Sequence, residues 1–146
     1  MRTLQQFVLA QDIMVVAHRG SSGTAPENTL AAIREALEAG AHMIEIDVQF
    51  TADDEAIVFH DAVLGRTTDG SGKIRKLHSS DLCRLDAGTW FDPRFEGEKI
   101  PLLGEALTLL RDKAYVNIDI KPPQPDEDYT RRIDRIASII ERTGMR

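Results

Sequence analysis

The sequence predicts an α/β fold of the (β/α)-barrel (TIM) type, of which the chain holds about the first half. Short β-type runs alternate with segments of helical periodicity, which is the order of elements in a parallel sheet covered by helices. Polar residues such as His18, Glu45 and Asp119 fall inside or at the ends of these runs, where a parallel barrel collects its functional side chains. The chain has 146 residues, against roughly 250 in a complete eight-stranded barrel, so only about half of the wall is expected.

Composition excludes several classes of protein. Hydrophobic residues make up 42% of the chain and charged residues 29%, which is typical of a folded globular domain. The net charge of −6 argues against nucleic-acid binding and against an anionic-membrane surface, because such contacts need clustered Lys and Arg. The single cysteine, Cys83, and the shortness of the N-terminal apolar run favour the cytoplasm, and no stretch is long enough for membrane insertion.

The first elements follow from local patterns. Residues 1–13 are an N-terminal segment, and the partial barrel domain is predicted over residues 14–146. Residues 14–17 form an apolar run that predicts a buried strand. Asn28 is the predicted N-cap of the next helix, which Gly40 ends. The inward positions of that helix are Leu30, Ile33 and Leu37.

Residues 43–50 alternate as a strand with one polar and one apolar face. The polar face carries Glu45 and Asp47, and unpaired carboxylates do not belong in a core, so this face indicates a functional site. The turn 52–55 is too short for a parallel crossover and predicts an antiparallel hairpin. Pairing of Thr51 with Ala56 then places Asp47 opposite His60.

An irregular region and three further elements complete the chain. The polar stretch 62–100 is predicted to be an inserted region over the mouth of the fold, packed down by its aromatic residues. A helix, a strand over residues 115–120 and a helix from 126 to about 142 follow, and Gly144 ends the last one. The predicted inward residues are Leu103, Ala106, Leu107 and Leu110 in the first helix and Ile133, Ile136, Ala137 and Ile140 in the second.

The residue types predict metal-assisted cleavage of a phosphate ester. Carboxylates bind hard divalent cations, and cationic side chains neutralise an anionic phosphodiester. Histidines exchange protons near neutral pH. Taken alone, each residue also has a structural explanation: Asp119 and Lys121 can simply pair with each other. The set consists of three carboxylates, two histidines and two cations: Glu45, Asp47, Asp119, His18, His60, Arg19 and Lys121.

Several spaced motifs resemble those of the glycerophosphodiester phosphodiesterase family. The resemblance covers about residues 14 to 121, and its specificity lies in the agreement of several motifs in order and spacing. It implies hydrolysis of glycerophosphodiesters to sn-glycerol 3-phosphate and an alcohol, with the substrate's glycerol hydroxyl as the first nucleophile. The motifs are VAHRGSSGTAPENT, IEIDVQFT, IVFHD followed by RTTDG, LDAGTWF, IPLLGEAL and NIDIK.

The resemblance also implies a role for each matching position. His18 and His60 match the family's acid/base pair, and Arg19 and Lys121 match its phosphate-binding cations. Glu45, Asp47 and Asp119 match the ligands of one divalent metal, Ca²⁺ or Mg²⁺. The third ligand is usually Glu, so the shorter Asp119 is expected to reach the metal through water or to alter metal choice.

Alternative interpretations remain open at this stage. A half barrel leaves open sheet edges, so the chain is expected to be a fragment of a longer enzyme or to form a homodimer. A degenerate module that only binds phosphorylated ligands or a partner is a second possibility, and an activity of the lysophospholipase D or sphingomyelinase D type is a third. Glu27 and Asn28 are expected to set the helix start, and His42 and His78 to lie on the surface.

Overall fold

The structure, a computed structural model, describes residues 3–10, 13–122 and 129–145. The run Lys121-Pro122-Pro123-Gln124-Pro125 predicts a stiff loop, of which residues 123–125 lie outside the described ranges, as does the predicted helix start at 126. No helix in the described ranges combines the length and the apolar character that a membrane span requires. The elements are, in chain order, α1 (Leu4–Leu9), β1 (Val16–His18), α2 (Leu30–Glu38), β2 (Met43–Phe50), β3 (Ala56–Val58), α3 (Ser79–Leu82), α4 (Leu103–Leu110), β4 (Tyr115–Ile120) and α5 (Tyr129–Thr143), with 3₁₀ turns at Ile74–Lys76 and Pro93–Phe95.

The sheet is built around β2. Strand β4 runs parallel to it along one side, from the pair Met43 with Tyr115 to the pair Val48 with Ile120. On the other side, β1 pairs in parallel with the first half of β2, and β3 pairs antiparallel with the second half. The parallel β1, β2 and β4 with intervening helices confirm the predicted α/β class, and β1 and β4 form the outer edges.

Strand β1 differs from its prediction in position and in burial. It spans Val16–His18 rather than residues 14–17. The side chains before and within it are exposed, with Val15 at 51% and Val16 at 45%. The apolar run therefore predicted the strand type but not its burial, because β1 is an edge strand whose outward face has no packed neighbour among the described residues.

Three helices pack against the apolar face of β2. Ile44, Ile46 and Val48 are fully buried beneath α2, α4 and α5, and Glu45 and Asp47 point to the opposite face as the alternation predicts. In α5 the buried residues are Ile136, which was predicted to face inward, and Ile139, which was not. Its predicted inward residues Ile133 and Ala137 are exposed and Ile140 is half-buried, because α5 turns Ile139 onto Gly104 of α4.

The hairpin between β2 and β3 has a register one residue away from the prediction. Phe50 pairs with Ala56, so the residue opposite Asp47 is Phe59 rather than His60, and the Phe59 N–H donates to the Asp47 carbonyl. The cause is Thr51, which leaves the ladder and closes a five-residue loop through bonds to Glu55. A shift by one residue turns side chains to the other face of a regular strand. Strand β3 ends at Val58, however, and irregular backbone brings His60 back, with its carbonyl accepting from Gln49 Nε2 at 2.7 Å.

Residues 62–100 are largely irregular, as predicted, but aliphatic rather than aromatic side chains hold them down. Trp90 contacts Phe91 edge to face, and Phe91 contacts Phe95, yet Trp90 is 40% exposed. A separate cluster of buried side chains anchors the region instead. Its members are Ile57, Phe59, Leu64, Ile74, Leu82, Ala87 and Ile100.

Candidate active site

Three carboxylates meet on the polar face of the sheet. Glu45 and Asp47 come from β2, and Asp119 comes from β4, where it pairs directly with Asp47. One oxygen of each lies within 4.8 Å of the others. Glu45 and Asp47 are buried, at 7% and 1% exposure, and the Asp119 side chain is half exposed. The cluster therefore opens to solvent on the β4 side.

Asn28 holds Asp47 in place. Its Nδ2 donates to Asp47 Oδ2 at 2.7 Å, and its Oδ1 accepts from the Asp47 backbone N–H at 3.2 Å. The predicted N-cap role is wrong, because Thr29 caps α2 by accepting from the Ala32 backbone N–H. Asn28 instead takes a left-handed conformation, with φ 59°, which asparagine tolerates better than most residues. It is a site residue that the sequence pattern assigned to the helix start.

Arg19 is drawn inward between acidic side chains. Its backbone N–H donates to Glu45 Oε2 at 2.8 Å, and its Nη1 donates to Glu27 Oε1 at 3.0 Å. Its buried Nε lies 3.2 Å from Asp47 Oδ2, an ion-pair contact without hydrogen-bond alignment. The following Gly20 has φ +79°, and a Cβ there would lie 2.7 Å from Ala32, so this turn needs glycine.

Lys121 lies between two of the carboxylates. Its Nζ is 2.6 Å from Asp47 Oδ1 and donates to Asp119 Oδ2 at 2.7 Å. The bond from Lys121 holds the pKa of Asp119 below its usual value. Burial alone would lower the pKa of Lys121, but the two carboxylates outweigh burial and raise it. The pairing foreseen with Asp119 exists, and it includes Asp47 as well.

The burial of Glu45 and the oxygen donors of the cluster both bear on whether the cluster can hold a cation. Burial is the main cause that raises the pKa of Glu45, and the charge of Asp47 adds to it, against the opposing bond from the Arg19 backbone. A cation bound beside Glu45 would offset the cost of burying its charged carboxylate next to Asp47. The donors are carboxylate oxygens, which Ca²⁺ and Mg²⁺ prefer. The residues present therefore fit a hard divalent cation.

The two histidines lie in different surroundings. His18 ends β1 with an exposed side chain, and its Nε2 is 3.9 Å from Glu45 Oε2. His60 Nδ1 lies 2.6 Å from Asp61 Oδ1. Bonds from Arg66, and then from His60, lower the pKa of Asp61 to about 2, although burial opposes them. Asp61 is therefore ionised at neutral pH and favours the His60 tautomer that carries its proton on Nδ1.

A cavity of about 400 Å³ adjoins this cluster. Its lining includes Gln49, His60 and Lys121, together with Lys73 and Arg75. A substrate group bound there would contact His60 and Lys121 together. The structure thus gathers the seven predicted residues along one face of the sheet, with His18 beside Glu45 and His60 beside this cavity.

Sequence reasoning gave no site role to three residues around the site: Glu27, Asn28 and Arg66. Glu27 and Arg66 bond to each other, Glu27 also bonds Arg19, and Arg66 also bonds Asp61. The three lie within the motifs PENT and RTTDG, which was the available signal. Of the two histidines expected on the surface, His78 is exposed, while His42 is half-buried and accepts from the Val15 N–H at 3.1 Å.

Comparison with known proteins finds one family model and several relatives that are similar to the chain. A family model described as the glycerophosphoryl diester phosphodiesterase family matches residues 18–143. A glycerophosphodiester phosphodiesterase of Caldanaerobacter subterraneus is 47% identical over 109 residues, which cover 74% of this chain and 45% of the relative.

Solved structures give the same result. A crystal structure of glycerophosphodiester phosphodiesterase from Agrobacterium tumefaciens is similar with a TM-score of 0.80 and 42% identity, over 90% of this chain and 54% of the other. A phosphodiesterase of Oleispira antarctica, in complex with the product sn-glycerol-3-phosphate, has a TM-score of 0.84 and 39% identity, over 90% and 53%. The chain therefore spans about half the length of these relatives.

Proposed function

The chain belongs to the glycerophosphoryl diester phosphodiesterase family, and from this premise we propose that it carries the site of a metal-dependent phosphoric diester hydrolase. The proposed reaction cleaves a glycerophosphodiester to sn-glycerol 3-phosphate and an alcohol. One observation carries the proposal: three carboxylate oxygens within 4.8 Å of one another stand beside two cationic side chains. That combination suits an anionic substrate and a bound cation together.

In this proposal Glu45, Asp47 and Asp119 hold one divalent cation, Ca²⁺ or Mg²⁺. When bound, the ion would neutralise negative charge on the phosphate oxygens. The asparagine clamp supports the assignment, because Asn28 bonds both the side chain and the backbone of Asp47 and so fixes the direction of its carboxylate. Partners that orient a metal ligand in this way strengthen metal binding.

Arg19 and Lys121 are proposed to bind the phosphate. The described contacts of Arg19 use Nη1 and Nε, which leaves Nη2 as the group that we propose meets a phosphate oxygen. Lys121 Nζ lies between Asp47 and Asp119, where it adds positive charge at the same point. Both cations are anchored by carboxylates before substrate arrives, so little side-chain entropy is lost on binding.

His18 and His60 are proposed to move the protons. With Nδ1 of His60 facing Asp61, the neutral ring presents Nε2 as the atom that accepts or returns a proton. One histidine removes the proton of the attacking hydroxyl, and the other protonates the alkoxide that leaves. Following the family resemblance, we propose the substrate's glycerol hydroxyl as the attacking group, with water opening the cyclic phosphate afterwards.

Turnover of glycerophosphocholine tests the proposal. Because the chain spans about half the length of its relatives, we expect it to release glycerol 3-phosphate weakly at most, and only with Ca²⁺ or Mg²⁺. We expect His60→Ala to lose about 10²-fold or more of that activity. His78→Ala is the matched control, since His78 is an exposed histidine beside a carboxylate outside the site. Full activity in His60→Ala would contradict the acid/base role.

Calorimetry with Ca²⁺ and Mg²⁺ tests the cation separately. We expect a single site in the parent that is weakened in Glu45→Ala, and a changed metal preference in Asp119→Glu, which restores the usual reach of the third ligand. Equal affinity in the parent and Glu45→Ala would refute the ligand assignment.

Two other outcomes would favour the alternative functions. Binding of metal and of glycerol 3-phosphate without turnover would favour a non-catalytic module. Release of choline from lysophosphatidylcholine or sphingomyelin would favour an activity of the lysophospholipase D or sphingomyelinase D type.

Other expectations about the chain stay predictions. They are a domain boundary between residues 13 and 14, a cytoplasmic location, and the absence of nucleic-acid partners and membrane insertion. Binding of the purified chain to duplex DNA at physiological salt would contradict the third of these.

A further inference from the structure

Arg66 joins two carboxylates that belong to different parts of the site. Its Nε donates to Asp61 Oδ2 at 2.7 Å, and its Nη2 lies 3.1 Å from Asp61 Oδ1. Its Nη1 and Nη2 donate to the two oxygens of Glu27, at 2.9 and 2.7 Å. Both contacts are bidentate, and only a planar guanidinium can make two such contacts at once.

Each carboxylate that Arg66 binds has a second partner in the site. Asp61 Oδ1 lies 2.6 Å from His60 Nδ1, and Glu27 Oε1 accepts from Arg19 Nη1 at 3.0 Å. An unbroken series of hydrogen bonds and ion pairs therefore runs from the proposed proton-transfer histidine to the proposed phosphate-binding arginine. Glu27 and Asp61 are largely shielded, with side-chain exposures of 14% and 26%.

The backbone does not fix this end of the site by itself. Strand β3 ends at Val58, and Asp61 stands in irregular chain beyond it. The described side-chain contacts of Asp61 are those to His60 and Arg66. Removing Arg66 would therefore free the Asp61 carboxylate to rotate, and the His60 ring would lose the group that orients it.

We propose that Arg66 is a positioning residue that holds Asp61 against His60 and, through Glu27, ties the orientation of His60 to that of Arg19. This inference rests on the proposed function, and it assigns a purpose to the RTTDG motif. Arg66 contacts neither substrate nor metal in the proposal. Its effect on turnover passes through Asp61 to His60, while Glu27 holds the other edge of its guanidinium.

A double-mutant cycle separates positioning from general structural support. We expect Arg66→Ala to lower kcat by about 10- to 100-fold while KM changes less, because His60 is misoriented but Glu27 still holds Arg19. In the double variant Arg66→Ala/His60→Ala, we expect no loss beyond that of His60→Ala alone. With His18→Ala, which shares no contact with Arg66, the two losses should multiply.

Two arginine variants serve as controls. Arg66→Lys should restore little, because one ammonium group cannot bind both carboxylates in bidentate fashion. Arg34→Ala removes a half-exposed arginine whose nearest carboxylate contact, to Glu98, is 3.8 Å, and it should leave kcat unchanged. Multiplying losses for Arg66 with His60, or full rescue by lysine, would overturn the proposal.

Nitrogen-15 NMR of the imidazole rings decides the matter without turnover. Well above the ordinary histidine pKa of about 6.5, we expect His60 of the parent to carry its proton on Nδ1, and to populate both tautomers in Arg66→Ala and in Arg66→Lys. Arg34→Ala should match the parent. If the parent shows no activity but the His60 tautomer changes as expected in the Arg66 variants, the proposed function alone is refuted. If the His60 tautomer is the same in the parent and in both Arg66 variants, the positioning role is refuted.

Discussion

Replacement of Asn28 by alanine is expected to destabilise the chain far more than an ordinary surface substitution. Asn28 is 3% exposed and makes two hydrogen bonds to Asp47, one to its charged carboxylate and one to its backbone N–H. A hydrogen bond to a charged group contributes about 1.5–3 kcal/mol, and a neutral one about 1 kcal/mol. Alanine at a positive φ costs a further ~1 kcal/mol. We therefore expect a loss of about 4 kcal/mol for Asn28→Ala.

Two further variants separate these contributions. Asn28→Gly removes the same hydrogen bonds but tolerates the left-handed backbone, so it should lose about 3 kcal/mol. Asp112→Ala changes an exposed residue at φ 63° whose one described ion-pair contact, to Arg111, is a long 3.9 Å, so it measures mainly the backbone cost and should lose about 1 kcal/mol. The free energy of unfolding would be measured by urea titration at one fixed protein concentration.

The losses in free energy of unfolding of the three variants, compared with one another, test whether the bonds from Asn28 to Asp47 stabilise the chain. If Asn28→Ala loses no more stability than Asp112→Ala, the two bonds from Asn28 to Asp47 contribute nothing to stability, and the proposed role of Asn28 in holding Asp47 is refuted. Metal affinity gives an independent measurement, because an Asp47 carboxylate that is no longer held should bind Ca²⁺ or Mg²⁺ more weakly in Asn28→Gly than in the parent.

The remaining predictions concern a turn, the response to acid and association. Gly20→Ala should destabilise more than Gly40→Ala by about 1–3 kcal/mol in urea titrations, because both have positive φ but only Gly20 has backbone within 2.7 Å of the added Cβ; equal losses would contradict the close approach. Backbone N–H groups of Gly97 and Thr89 lower the pKa of Asp86 to about 2 from 3.8, so its stabilisation is complete above pH 3.8 and is lost as the pH falls through about 2. Asp86→Asn should therefore be less stable than the parent at pH 7 and equal to it below pH 2, and a loss that persists there would argue against this origin. Since β1 and β4 are outer edges of the sheet, we expect this chain to associate, in its simplest form as a symmetric dimer, and a cooperatively melting monomer in light scattering coupled to size exclusion would refute this.

Local periodicity was sufficient for strands β2 and β4 and for the polar face of the sheet. Strand β2 has the predicted bounds, and its alternation separates Glu45 and Asp47 from the buried Ile44, Ile46 and Val48. Strand β4 likewise matches its prediction over Tyr115–Ile120. These features depend on the geometry of a single segment, which repeats every two residues in a strand, so the sequence alone contains them.

The hairpin register and the helix cap depended on tertiary contacts. Thr51 was available either as the last ladder residue or as part of the loop, and its bonds to Glu55 decided for the loop. The sequence pattern placed the N-cap at Asn28, but Asn28 bonds Asp47, which lies 19 residues away in sequence, and Thr29 caps α2 instead. A local pattern does not contain such a distant partner, so it could not exclude Asn28 as the cap.

The connections between site residues were the part that only the tertiary structure decided. The residue types of the site and their motifs could be read from the sequence, but the bond from Arg66 to Glu27 spans 39 positions and joins two irregular segments without periodicity. Its geometry follows from the sheet, which brings the end of β3 beside the loop after β1 on one side of β2. Sequence thus determined which chemical groups are present and on which face of each strand they lie. Packing of distant segments determined which of those groups touch, because each such contact depends on the position of the whole backbone between them.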